Sequence, residues 1–193
     1  MKKIIVLLVA CIMAVSAQAN LVSNGDFETG DFTTWWSWTP DSDNQAVSID
    51  STIAIDTYSV KVECWESAAS WLELGQSAIE VESETTYTLS LDYYEASTDY
   101  AGMGVNIKYW DADWSLLTDS ANWFDVLSSS TAGTDTWETF SADITTVADA
   151  RYMEIKITMG GWGAVNIDNV SVVPEPATMT LLGLGGLLLG RRK

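Results

Sequence analysis

Tyr87-Thr88-Leu89-Ser90-Leu91-Asp92-Tyr93-Tyr94 places a large apolar side chain at every second position. Successive residues of a β-strand point to opposite faces, so this stretch reads as a strand. Tyr87, Leu89, Leu91 and Tyr93 face a core, and Thr88, Ser90, Asp92 and Tyr94 face solvent. The same period of two recurs on both sides of it. Residues 58–65 put Tyr58, Val60, Val62 and Cys64 on one face, with Ser59, Lys61, Glu63 and Trp65 on the other. Residues 104–110 alternate Val105, Ile107 and Tyr109 with Asn106, Lys108 and Trp110. Residues 151–159 alternate Met153, Ile155 and Ile157 with Tyr152, Glu154, Lys156 and Thr158. Val165 and Ile167, then Val170 and Val172, form a last strand whose parity changes at Asp168-Asn169, which predicts a bulge. Shorter strands are expected over 46–50, 71–74, 79–81 and 137–142, and a large loop within 111–135. No stretch of this middle region carries a long helical period. Strands in this number, about eight or nine, with no crossover helices, predict an all-β domain: an antiparallel two-sheet β-sandwich of jelly-roll type.

Outside that region the chain of 193 residues reads as transport signals. Met1-Lys2-Lys3, the apolar run 4–15 and the small-x-small site Ala17-Gln18-Ala19 make residues 1–19 a signal peptide with an apolar helix. Signal peptidase would then leave Asn20 as the first residue. Leu8-Val9-Ala10-Cys11 also matches a lipobox, so lipoprotein processing at Cys11 is the rival reading. At the other end Pro174-Glu175-Pro176 precedes an apolar, Gly-rich run over 179–190 and then Arg191-Arg192-Lys193. That run is shorter than the ~20 residues of a comfortable spanning helix, so it predicts a short, weak transmembrane helix. The basic end satisfies the positive-inside rule. The two prolines are expected to hold residues 174–176 extended and open to a processing enzyme.

Residues 20–173 are long enough for one domain with a real core. They keep Lys61, Lys108, Arg151 and Lys156 against 26 of the 27 acids, a net charge of −22. Such a surface excludes nucleic acid and anionic lipid as partners and attracts divalent cations. Cys64 is the single cysteine left after residue 19, so no internal disulfide can form. The absence of histidine removes Ser-His-Asp and Cys-His catalysis and His-bearing zinc sites. Paired carboxylates could hydrolyse glycosides, but so many acids give pairs by chance, and nothing marks two of them as facing each other.

The tail, with its Pro-Glu-Pro motif, apolar run and basic end in that order, resembles the PEP-CTERM sorting signal. The resemblance implies processing by an exosortase, a membrane transpeptidase, and delivery to the cell surface or extracellular polysaccharide matrix. A plain tail anchor is the alternative.

The domain carries a second resemblance. Its opening, residues 20–30 (Asn-Leu-Val-Ser-Asn-Gly-Asp-Phe-Glu-Thr-Gly) followed by Trp35 and Trp36, resembles the galactose-binding-like jelly rolls. These include the CenC-type carbohydrate-binding modules of families 4, 9 and 22. Residues 76–91 and the closing Val165-Asn166-Ile167-Asp168-Asn169-Val170-Ser171-Val172 fit the same pattern. In such modules the opening and closing segments lie side by side and hold a structural calcium. The matching residues are Asn24, Asp26, Glu28 and Asp168, while Asn169 stands where these modules often carry a second Asp. The alternative is that 24–26 is only a turn and Asp168 only a bulge residue. Asp111-Ala112-Asp113-Trp114-Ser115 lacks the Gly and Glu of a calcium loop and reads as a turn.

Ten tryptophans point the same way. The apolar C–H face of a sugar lies flat on an aromatic ring, and neighbouring polar side chains bind its hydroxyls. Trp65 and Trp110 fall on the polar side of their strands, beside Lys61, and beside Asn106 and Lys108; Tyr94 and Asp92 share that pattern. If these strands lie in one sheet, the seven residues form one carbohydrate-binding platform. Trp35, Trp36, Trp38, Trp114, Trp123 and Trp162 could instead build a site at the sandwich edge, with Trp35 or Trp36 in the core. The expected function is a non-catalytic exported protein that binds glycan and is stabilised by calcium. The alternatives are an acidic structural or adhesive matrix protein with no defined sugar, and a small glycan-active enzyme.

Overall fold

The structure, a computed structural model, describes residues 19–175, and within β-strands the side chains of 66–70 and 118–121 are not described. The signal peptide with Ala17 and Cys11, the transmembrane run, Pro176, Arg191 and Arg192 lie outside the described residues. Eight strands follow one another: β1 Trp36–Trp38, β2 Gln45–Asp50, β3 Ser59–Glu80, β4 Thr86–Glu95, β5 Tyr100–Trp110, β6 Leu116–Leu127, β7 Trp137–Thr145 and β8 Tyr152–Pro174. Every pairing is antiparallel. Among the described residues there is no helix.

Two strands organise the molecule. β3 has 22 residues and β8 has 23, and each runs through both layers of the sandwich. The first half of β3 and the second half of β8 join β2, β4 and β7 in layer one, ordered β2-β3-β8-β4-β7. The other halves join β1, β5 and β6 in layer two, ordered β1-β3-β8-β5-β6. What the periodicity divides into segments 58–65, 71–74 and 79–81 is therefore one strand, and 151–159 and 165–172 are another. The chain changes layer by bending within a strand. Gly161 and Gly163 of β8 take φ of +91° and +126°, opposite the stretch of β3 where the register slips between Cys64 and Leu72. Backbone in that region is open to glycine at little cost.

The core follows the alternation. Val60, Val62, Leu89, Leu91, Val165 and Ile167 of layer one meet Leu72, Leu74, Val105, Ile107, Ile155 and Ile157 of layer two, all buried. Cys64 is buried among them and forms no disulfide. The bulge is present: Asn169 has φ +50°, and the β4–β8 register shifts between Ser90 and Asp92. Phe27 and Trp35 plug one end of the sandwich with ring centroids 5.2 Å apart, and the Trp35 indole N–H donates to Asn24 O at 3.0 Å.

Two expectations need correction. The stretch 111–135 does include a loop, from residue 128 on, but most of it is not loop, because β6 occupies its middle and pairs with β5. Its register slips three times against β5, which is why no clean alternation marks it. Nor do the first two residues of the Pro-Glu-Pro motif stand open. Pro174 ends β8 opposite Tyr87, and the Glu175 N–H donates to Thr86 O at 3.0 Å. The Glu175 carboxylate accepts the Thr88 hydroxyl at 2.7 Å. Proline is tolerated at such a strand terminus, and Val172 and Val173, opposite Leu89 and Thr88, carry the ladder up to it.

Candidate functional site

Register assigns the outer face of layer two residue by residue. One cross-strand row reads Trp36, Gly75, Lys156, Asn106, Trp123, from β1 to β6. The next row reads Trp38, Glu73, Thr158, Gly104, Asp125. Toward one end lie Glu154 beside Lys108 and Tyr152 beside Trp110; toward the other, Gly160 beside Gly102 and Trp162 beside Tyr100. Because β3, β5 and β8 turn their apolar residues inward, these alternate positions must point out.

The two edge tryptophans of the first row are held in place. A Cβ on Gly75 would fall 2.4 Å from the Trp36 ring, and one on Gly104 would fall 2.5 Å from the Trp123 ring. Each ring therefore lies over the backbone of the neighbouring strand. The Trp36 indole N–H donates to Ser77 Oγ at 3.0 Å, which donates to Glu154 Oε2 at 2.6 Å. The Trp123 indole N–H donates to Asp125 Oδ1 at 2.7 Å. Between the rings Lys156 Nζ donates to Glu73 Oε1 at 2.8 Å. Asn106 and Thr158 point out and yet are buried, so they form the floor. Trp38, Trp71, Tyr100, Trp123 and Trp162 are each about half exposed. Trp114 stacks on Tyr152, centroids 4.2 Å apart and planes 6° apart. Two of the four cations between residues 20 and 173, Lys108 and Lys156, lie on this face, so its local charge is close to balanced although the domain as a whole is strongly acidic.

The seven residues expected to share a platform do not. Trp110, Asn106 and Lys108 belong to the outer face of layer two. Lys61, Tyr94 and Asp92 belong to layer one, with Trp65 at the bend that leaves it. There Lys61 pairs with Glu63, Tyr94 packs on Trp137 at 5.9 Å, and Asp92 accepts from Thr139 Oγ1 and Asn169 Nδ2. Alternation says which side of a strand a residue takes, not which layer the strand occupies, and β3 changes layer just past Trp65. Trp36, Trp38, Trp71 and Trp123 are members of the face that the parity argument leaves out, and Trp36, Trp38 and Trp123 belong to the alternative edge group, on strands β1 and β6. Glycines inside strands, at 75, 104 and 160, are a signal that could have found three of them, since such a glycine marks close approach by another group.

Of the four candidate calcium ligands, Glu28 and Asp168 converge on the loop 51–58. Asp168 is buried; Oδ2 accepts from Ile55 N at 3.2 Å and Oδ1 from Asn169 N at 2.8 Å. Burial, reinforced by the charges of Glu28 and Asp56, pushes its carboxyl up to about 6. Glu28 Oε1 accepts the N–H groups of Tyr58 at 2.8 Å and Thr57 at 2.9 Å, the first of which chiefly holds its carboxyl below the usual range. Asn24 and Asp26 serve the preceding turn instead: Asn24 Nδ2 donates to Asp31 O at 3.2 Å and Asp26 Oδ1 accepts Glu28 N at 3.4 Å. Among the described residues no group of three or more His, Cys, Asp or Glu side chains converges. A hard cation here would draw on the two carboxylates and backbone carbonyls. Asp111 caps its own turn, Oδ1 accepting Asp113 N and Ser115 N.

An antiparallel sandwich with one aromatic, hydrogen-bonding outer face defines the class of β-sandwich binding modules. The chain belongs to the carbohydrate binding domain family CBM_4_9, which matches residues 19–169. Residues 172–193 match the PEP-CTERM protein-sorting motif. Together the two matches mark an exported, surface-associated protein whose domain is a carbohydrate-binding module. No curated protein matches the chain. Solved structures agree in fold. A module named TmCBM61, in complex with β-1,4-galactotriose, superposes with a TM-score of 0.54 at 19% identity, over 81% of this chain and 99% of that one. The CBM22-1 xylan-binding domain of Paenibacillus barcinonensis Xyn10C gives 0.56 at 12% identity, over 82% and 96%. The enzymatically active domain of bacteriophage CBA120 tailspike protein 4 gives 0.67 at 16% identity over 81% of this chain, which spans only 21% of that larger chain.

Proposed function

We propose that the outer face of layer two binds a segment of uncharged polysaccharide laid across the strands. The observation that carries this is the row from Trp36 to Trp123. It sets a ring at each edge of the sheet, with Lys156 and Asn106 between them. Four strand intervals of ~4.8 Å separate β1 from β6, so the row is roughly 19 Å wide and takes several sugar units. The rings would take the apolar sugar faces, and Asn106, Lys156 and Glu73 the hydroxyls. The strong net negative charge of the domain as a whole disfavours acidic glycans. Neighbours whose names carry galactotriose and xylan support a neutral ligand.

In this reading signal peptidase and an exosortase-type enzyme process the two ends, the C-terminal helix anchors the chain before processing, and Ca²⁺ bound at Glu28 and Asp168 stabilises the domain. Calorimetric titration with neutral polysaccharides is the test. Trp36→Ala and Trp123→Ala should each weaken binding about tenfold, ~1.4 kcal/mol, with Trp65→Ala unchanged. Retained affinity in both edge variants would move the site off this face. The net charge of −22 favours a second reading, an acidic matrix protein without a sugar ligand, which predicts no hit on a glycan array with calcium present.

A further inference from the structure

We infer that Gly75 and Gly104 are positioning residues of the glycan site: each is an empty seat that lets an edge tryptophan lie flat over the sheet. The inference rests on the reading that this face binds glycan. Glycine inside a strand weakens it, since it costs backbone entropy and leaves nothing to pack. Where φ is positive that cost serves the backbone. Gly75 and Gly104 are not among the positive-φ glycines, so their conformation is open to any residue. What they supply is space. A Cβ at Gly75 would meet Trp36 Cζ2 at 2.4 Å and Cε2 at 2.6 Å; one at Gly104 would meet Trp123 Cζ2 at 2.5 Å and Cη2 at 3.0 Å. Contacts that short force the ring to move.

The ring cannot move freely, because its indole N–H is tied on the same face, Trp36 to Ser77 and Trp123 to Asp125. A methyl group beneath either ring would tilt it and break that bond. The two seats lie in adjacent rows on strands β3 and β5, with β8 alone between them, so the two rings flank the strand that carries Lys156. Gly160 under Trp71 is a looser case, at 3.2 Å.

The experiment is a double-mutant cycle read by calorimetry with a neutral polysaccharide that the wild type binds. Gly75→Ala and Gly104→Ala should each lower affinity about fivefold or more. In a Trp36→Ala background, Gly75→Ala should change affinity less than twofold, because the ring it would displace is gone, while the contact of the new Cβ with Ile155 O at 3.0 Å stays the same in both backgrounds and acts on Tm alone. A merely structural glycine would give the same loss in both backgrounds. Wild-type affinity in both single variants, or an equal loss with and without the Trp36 ring, overturns the seats while leaving the glycan face standing. A wild type that binds no glycan overturns both.

Discussion

Asp168 shows how far one side chain can be read in each direction. Its place beside a parity change predicts a bulge, and the bulge is there. Its burial is not visible in sequence, because the cover comes from the loop 51–58, more than a hundred residues away. The buried carboxyl has consequences for stability. Its pKa is about 6 in the folded chain against 3.8 ordinarily, so between roughly pH 4 and 6 the folded state holds a proton that the unfolded state has lost. The sign is therefore destabilising as pH rises: Asp168 costs nothing below about pH 4 and its full penalty is present above about pH 6. In chelator, the Tm of the wild type relative to Asp168→Asn should fall from pH 4 to pH 7. Millimolar calcium should raise the wild-type Tm at pH 7 and leave the variant where it was. A difference that ignores pH refutes the buried charge, and a wild type indifferent to calcium refutes the ion.

Elements were legible where strands keep one phase and lost where they bend. β2, β4 and β7 stay in one layer and match their expected spans within a few residues. β3 and β8 cross between layers, and their phase breaks at the crossing, so each reads as separate pieces. The hinge glycines carry that crossing. Gly161→Ala demands a left-handed alanine, worth about 1–2 kcal/mol, and also sets a Cβ 2.7 Å from Tyr100 O. Urea unfolding should show a loss of about 2 kcal/mol or more for Gly161→Ala. Gly102→Ala, whose nearest contact is an ordinary 3.4 Å, should lose less than about 1 kcal/mol. Equal costs would mean the bend does not depend on the glycine. The elements missed outright, β1 and β6, are the edge strands of layer two. One is three residues long and the other slips register against β5, so neither offers a period to detect.

At the scale of the whole molecule the two outer faces are unlike. Layer one carries the N-terminal turn, the loop 51–58 and the junction with the sorting motif; layer two carries the aromatic row. That junction is short, since Glu175 is already docked on β4 through Thr86 and Thr88. The Glu175 N–H, which donates to Thr86 O, should exchange with deuterated solvent more slowly than in an unfolded control, and Thr88→Val should speed that exchange severalfold without lowering Tm. Equal rates in the folded and unfolded chain would mean that the motif is not held. The sequence by itself determined the all-β class, the core, the bulge and the C-terminal sorting motif, because alternation, turn chemistry and short motifs are local. It also put Trp110, Asn106 and Lys108 on a solvent face. Which tryptophans share a face was decided only by tertiary structure. Two residues become neighbours across a sheet through register and through the layer their strand enters, and both are set by bends in β3 and β8 that local periodicity does not encode.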